Sequence, residues 1–314
     1  MRIQLLVLTI TAFVSFFNMA DTGSNVSAFG YFSGDVGLGN LSGKTKERVY
    51  DADSGGHKNS QLNWKYNNAA IIKADINWDL MPLISIGASG WTTIASHGGY
   101  MDDTDWQDET QKGWTDQSKH PDTRLNYANE FDFNVKGWLL NESDYRVGVM
   151  AGYKESRYSF KSSGGSFNYT DEETGQSYIG SFPVGMTVIA YKQRFKMPYV
   201  GLIGSYRYER FELGGSFRYS GWVHSSDNDE HYLTNTTYRA HINDQKFYSL
   251  TGNVGYYLTP KAKVYVEGVW SRITNKKGSL SSNDYGKGEE AYAENTSGIE
   301  NYSFITTAGL KYYF

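Results

Sequence analysis

The chain has 314 residues, 30 Lys plus Arg against 34 Asp plus Glu, 34 Gly, 5 Pro and no Cys. It is long enough for one large domain, and the missing cysteines remove thiol nucleophiles, thiolate metal sites and any disulfide framework. A formal charge of −4 argues against a general nucleic-acid binder, and 26 Tyr, 16 Phe and 8 Trp are too many aromatics for a disordered segment.

Arg2 precedes an uncharged apolar run over residues 3–17, the length of a secretory h-region and too short for a spanning helix. Ala20 is the preferred last residue of this signal peptide. The alternative, Ala28 after Val26 and Ser27, fits the small-x-small rule better but lies far from the apolar run. Residues 21–314 are then a single domain, and loss of Arg2 moves the formal charge from −4 to −5.

From there on, apolar residues recur with period two. Odd positions 125–139 read Leu, Tyr, Asn, Phe, Phe, Val, Gly, Leu against a polar even set. The pattern returns at Val200, Leu202, Tyr206 and Tyr208, at Phe211, Leu213 and Phe217, and at Tyr248, Leu250, Val254 and Leu258. The interleaved face is too hydrophilic for a sandwich core. Apolar faces turned to lipid and polar faces turned to a wet lumen predict an all-β, antiparallel transmembrane barrel. About ten strands follow, roughly 30–50, 60–80, 83–97, 123–141, 145–162, 183–208, 211–225, 236–258, 261–277 and 297–314. Short turns alternate with long polar loops at 51–59, 98–122, 163–182, 226–235 and 278–296, so the barrel should extend above the outer membrane on the loop side. Pro198 lies inside a predicted strand and calls for a bulge. At the end of the chain Tyr302, Phe304, Leu310, Tyr312 and Phe314 share one face. Tyr and Trp toward strand ends should form interfacial girdles, since a barrel offers no second layer for them to pack against.

The loops of one rim are acidic. One carries Asp102, Asp103, Asp105, Asp108, Glu109, Asp116 and Asp122 against Lys112 and Lys119; another carries Asp227, Asp229, Glu230 and His231. A solvated charged loop is the bland explanation; a mouth that attracts cationic partners is the functional one. Asp103 and Asp105 are two apart, as are Asp229 and His231, so in extended backbone each pair projects to one side. Crowded carboxylates hold protons more tightly, and a carboxylate beside His231 orients the imidazole to deprotonate a water. Of the six histidines only His231 stands inside an acidic cluster. The chain lacks H-E-x-x-H, G-x-S-x-G and P-loop motifs, and an open carboxylate rim suits electrostatics better than a metal.

Several stretches, NLSGKTKERVY (40–50), QLNWKYNNAAI (61–71), ASGWTT (88–93), HPDTRLNYANEFD (120–132), SDNDEHY (226–232) and IENYSFITTAGLKYYF (299–314), resemble the omptins, outer-membrane proteases of enterobacteria. The likeness covers nearly all of the chain after the signal peptide and is greatest to the members that cleave between paired basic residues. It implies a ten-stranded barrel with an active site at the extracellular rim. Asp103 and Asp105 match an acid pair that faces the pair matched by Asp229 and His231. The resemblance implies an aspartyl-type endopeptidase in which His231 activates a water, with no acyl-enzyme and no metal. Glu47 and Asp227 match the acids of the pocket before the scissile bond, and Asp116 an acid on the far side.

The resemblance also implies lipopolysaccharide as an activating lipid rather than a true cofactor. Tyr153, Glu155, Arg157 and Arg194 match positions that contact its phosphorylated headgroup, although Asn243 stands where the family has a basic residue. The reading is therefore a monomeric outer-membrane endopeptidase facing the exterior, acting on basic peptides and proteins and using no nucleic acid. The rival is a non-enzymatic barrel, an adhesin or narrow pore whose acidic rim binds basic proteins. A third reading, a lipid-modifying barrel enzyme, has no Ser-His motif to support it.

Overall fold

The computed structural model describes residues 31–314 apart from 54, 97, 109, 112, 172 and 173. The predicted signal peptide with its two cleavage points, and Glu109, lie outside the described residues. The strands are β1 (Phe32–Tyr50), β2 (Lys58–Met81), β3 (Ile84–Ala95), β4 (Gly99–Asp105), β5 (Asp116–Asn141), β6 (Tyr145–Thr170), β7 (Ser177–Tyr208), β8 (Phe211–His231), β9 (Thr236–Thr259), β10 (Ala262–Ile273), β11 (Lys277–Asp284) and β12 (Glu289–Tyr313). All neighbouring pairs are antiparallel, and β1 pairs with both β2 and β12, which closes the sheet. β4 continues the path of β3 between β2 and β5, and β11 continues β10 between β9 and β12. The described strands thus form the expected ring of ten, with two members interrupted. Closure removes both sheet edges, the condition for a sheet in lipid.

The predicted short turns fall where the sequence placed them, but the predicted long loops are mostly strand. β5 begins at Asp116, β6 and β7 close to a tip over 171–176, and β8 runs to His231. A membrane strand needs about 9–11 residues, so much of a strand such as β7, with 32 residues, stands above the bilayer. Aromatics brace the β6–β7 tip: Phe167 stacks on Tyr169 at 4.7 Å and packs against Phe182 at 4.9 Å.

The lower part follows the inside-out rule. Leu38, Phe131, Phe133, Val149, Leu202, Leu213, Leu250, Val266 and Leu310 face outward. Inside, Arg218 meets Asp132 at 3.1 Å, Lys263 meets Glu212 at 2.6 Å, Arg146 meets Asp79 at 3.1 Å, and Lys73 pairs with Glu267. The upper part departs from expectation. Its interior is an apolar core of Leu41, Leu62, Trp64, Tyr66, Phe160, Tyr191, Phe195, Ile242 and Ile299, with Trp64 stacked on Tyr191 at 5.3 Å. Aromatics therefore do have a partner layer, namely the opposite walls of the barrel once it rises out of lipid. Leu125, expected to face outward, belongs to this core.

Bulges separate the two parts by changing which residues face inward. β2 carries Asn68 at φ 56° within a shift against β1, β5 shifts between Leu125 and Tyr127, and β9 carries Asp244 at φ 56°. An extra residue reverses the alternation beyond it. The bulge expected near Pro198 is present, between Lys196 and Val200 of β7, with the extra residue on β8.

Candidate active site

β8 brings Asp227, Asp229 and His231 inward through such a reversal. Even positions 212–220 face the lumen, and uninterrupted alternation would send Asp229 outward. A break between Trp222 and Asp227 is therefore required, and the structure places it slightly earlier. The step from Ser220 to Val223 on β8 opposes the shorter step from Phe247 to Gln245 on β9, leaving Trp222 exposed. Val223, Ser225, Asp227 and Asp229 are then buried in turn. On the opposite wall no reversal is needed: Ser85 and Gly87 of β3 and Met101 of β4 all point inward, and Asp103 and Asp105 share their parity.

The expectation that these groups sit on loops is overturned. Asp103 is paired with Leu62 of β2 and Ser118 of β5, and Asp229 with Tyr191 of β7 and Tyr238 of β9. Ladder pairing on both sides holds the acids in a fixed backbone frame, the kind of preorganisation that catalysis rewards.

Asp229 and His231 form one half of the constellation. Asp229 Oδ2 lies 2.6 Å from His231 Nε2, and the Tyr238 ring packs edge-on to the imidazole at 5.1 Å. Burial by itself would lower the imidazole pKa, but Asp229, by charge and hydrogen bond, and then Asp103 and Asp105 push it up to about 9. Asp103 and Asp105 form the other half. Burial and then Asp105 hold the Asp103 carboxyl well above the usual range. Burial, with Asp116 adding, pushes Asp105 up to about 6 against the hydrogen bond of Ser60 and the charge of His231. Ser60 Oγ donates to Asp103 Oδ1 at 3.3 Å. A histidine and an acid pair close enough to perturb one another's protonation can position a water and move its proton.

A pocket of carboxylates adjoins them. Asp227 Oδ1 accepts from the Ala240 amide at 2.7 Å, and Oδ2 from the Tyr191 hydroxyl at 3.0 Å. Gln193 Nε2 donates to that hydroxyl at 2.6 Å, and Thr45 Oγ1 to Gln193 Oε1 at 2.7 Å. Burial, with Asp229 adding, pushes Asp227 up to about 7 although the Ala240 amide and Tyr191 oppose it. Glu47 is held well above the carboxylate range by burial, then by Asp229, Asp227 and Asp103. Glu47 Oε2 and Asp229 Oδ1 are buried with no hydrogen-bond partner among the described residues. Two acids over an aromatic floor, one with an orphaned oxygen, are complementary to a long side chain ending in a cation. Asp116 of β5 stands directly opposite Asp105 of β4 in the ladder and accepts from the Thr170 amide at 3.0 Å.

The constellation is confined to the rim, but the match to known proteins spans almost the whole chain. The Omptin family model covers residues 29–314. The chain belongs to the omptin family. Protease 7 of Escherichia coli K12 is 61% identical over 317 aligned positions, covering all of both chains. The outer membrane protease OmpP of the same strain is 56% identical over 315, again covering both in full. The crystal structure of outer membrane protease OmpT from Escherichia coli superposes with a TM-score of 0.89 at 63% identity, covering 94% of this chain and 99% of that one.

In this omptin the residues predicted from sequence converge as two groups. Asp103, Asp105, Asp229, His231, Glu47, Asp227 and Asp116 gather at the rim, as their mutual pKa effects record. Glu155, Arg157 and Arg194 form a separate cluster on the outer wall, with Tyr153 exposed beneath it. Arg194 Nε and Nη2 each donate to Glu155 at 2.9 Å, and Arg157 Nε at 2.7 Å. Asn243 Oδ1 stands 2.7 Å from His224 Nδ1 on the neighbouring strands. Sequence reasoning missed Ser60, Tyr191 and Gln193. A parity argument could have found the last two: with Arg194 on the outer wall, residues 191 and 193 must point inward. Among the described residues no group of three His, Asp or Glu side chains is arranged to hold a metal ion.

Proposed function

We propose that this omptin, a protease of the outer membrane, is an endopeptidase that cleaves beside Arg and Lys through a water activated by His231. The observation that carries the reading is the 2.6 Å Asp229–His231 pair facing Asp103 and Asp105 beside the orphaned Glu47 carboxylate. In the reaction, neutral His231 removes a proton from the water as its oxygen attacks the scissile carbonyl. The imidazolium, steadied by Asp229, returns the proton to the departing amine. Asp103 and Asp105 hold the water, and no covalent intermediate forms. A guanidinium entering the pocket satisfies Glu47 Oε2 and draws Glu47 and Asp227 into their ionised forms. Asp116 favours a second basic residue after the cut.

The same reading assigns the Glu155–Arg157–Arg194 cluster, with Tyr153, to the phosphates of lipopolysaccharide, which holds rim strands β6 and β7 in register. Planar guanidinium forks suit phosphate. The site is complete within one barrel, so the protein acts as a monomer. The test is cleavage of a fluorogenic Arg-Arg peptide by refolded protein with and without lipopolysaccharide. Turnover after the first basic residue, abolished in His231→Ala, is expected. Full turnover in pure detergent would remove the lipid from the mechanism, and a trapped acyl-enzyme would overturn it.

A further inference from the structure

A second cationic cluster lies on the wall opposite Glu155. In the closed ring, the β1–β12 seam and the β6–β7 seam are diametrically placed. On β1 the side chains of residues 44, 46 and 48 alternate outward from buried Thr45 and Glu47. The ladder sets Lys44 opposite Tyr302 and Lys46 opposite Glu300 on β12, while Arg272 of β10 lies opposite Tyr302 from the other side. Glu300 thereby meets Arg48 at 2.7 Å, Arg272 at 3.2 Å and Lys46 at 3.7 Å. Lys44, Lys46, Trp270, Arg272, Glu300 and Tyr302 line a groove of about 280 Å³.

We propose that this groove binds a second phosphorylated lipid headgroup, gripped by Lys44, Lys46 and Arg272 around Glu300 and seated on Trp270 and Tyr302. Glu300, already paired with Arg48 at 2.7 Å, cannot also neutralise Lys44, Lys46 and Arg272. The Lys44 ammonium is disfavoured by burial and then by Lys46 and Lys65. An anion in the groove offsets both conditions at once.

Height on the barrel identifies the anion as a lipid phosphate. The Trp270 and Tyr302 rings meet edge to face at 6.2 Å. Directly below them Phe304, Val266, Val264 and Leu310 face outward. The cations therefore sit immediately above the apolar belt, where headgroup phosphates lie and acyl chains run down beside the wall. Snorkelling accounts for a lone interfacial Lys; it does not gather cations around a shared carboxylate beside an open groove. The Glu155 cluster has the same plan, with Tyr153 two residues below the glutamate and arginines around it, but the two clusters share no residue. The proposal stands on its own strands.

The test counts bound lipid on the intact, folded barrel by native mass spectrometry from mild detergent. The probes are bisphosphorylated lipid A, dephosphorylated lipid A and inorganic phosphate. Wild type is expected to carry two bisphosphorylated lipid A molecules and the triple variant Lys44→Gln, Lys46→Gln, Arg272→Gln one, the affinity of the second falling about tenfold or more. Heat-dependent gel migration confirms that the variant is folded. Arg157→Gln with Arg194→Gln should lose the other lipid; if it does not, the Glu155 assignment fails while the triple-variant count still decides this one. Equal lipid counts in wild type and triple variant, or retention of dephosphorylated lipid A, would overturn the proposal. Displacement of the second lipid by millimolar inorganic phosphate would do so too, by making the groove a free-anion site.

Discussion

The two halves of the barrel are built from the same strands by opposite rules. In the belt, apolar residues face out and ion pairs such as Arg218–Asp132 fill the lumen. Above it, Trp64, Phe160 and Tyr191 pack inside while Glu155, Arg157, Lys46 and Glu300 face out. The solvent changes from lipid to water along each strand, and the bulges are where the side chains answer that change. The rim also buries Glu47 and Asp227 with no Lys or Arg partner among the described residues, whereas the belt pairs its charges. Folding alone does not favour that difference, because an unpaired buried charge costs several kcal/mol by rough estimate. The proposed function, in which the rim takes up a cation and a water, accounts for it.

The largest effect should come from the rim. His231→Ala and Asp103→Ala are each expected to lower kcat/KM by about 10³-fold or more, while boiled and unboiled samples still migrate differently on gels. Serine reagents should not label the protein stoichiometrically. Because both residues sit on strands rather than loops, circular dichroism should accompany the kinetics; loss of strand signal would turn the result into a folding defect.

Next is specificity. Glu47→Gln with Asp227→Asn should remove the preference for Arg before the cut, about 10²-fold, more than it lowers turnover of neutral peptides. A peptide library profiled against both proteins measures this, and an unchanged preference would reduce the acids to steering charges. Raised salt should weaken substrate capture in wild type through screening of the acidic mouth.

The belt should behave in the opposite sense. Asp132→Asn removes the negative charge that faces Arg218 at 3.1 Å and is expected to lower the thermal midpoint, with a cost of about 3 kcal/mol. Peptide turnover at permissive temperature should stay within about twofold. Activity lost without loss of stability would show that the lumen ion pairs serve the rim.

The smallest effects are pH shifts. Asp103 and Asp105 help to raise His231 to about 9, so the limb of the pH–rate profile on which activity rises should move to lower pH in Asp103→Asn. Glu47 holds its proton more tightly folded than unfolded. The folded state therefore binds more protons across the interval above the ordinary carboxyl range, and stability falls as pH rises through it. Glu47→Gln should accordingly gain thermal stability at alkaline pH and none below the ordinary carboxyl range. Scanning calorimetry at two pH values reads the difference.

By itself the sequence determined the belt. Lipid tolerates only an apolar outer face and a satisfied backbone, so Val200, Leu202, Leu213, Leu250 and Leu258 had to alternate with small or polar residues, and that alternation is readable without a structure. It also held the acids and histidine of the site in recognisable segments. Only the tertiary structure decided where the alternation reverses. The slip from Ser220 to Val223 exists because β9 offers a shorter step, and the shift at Leu125 because of its pairing with β6. Register is a property of two strands, so no single strand's pattern reveals it. The same reversals fill the upper lumen with Leu125, Trp64 and Tyr191 and carry Asp229 and His231 to the inner wall that also bears Asp103. Uninterrupted alternation along β8 alone would place them outside, because the extra residue that turns them inward is visible only against β9.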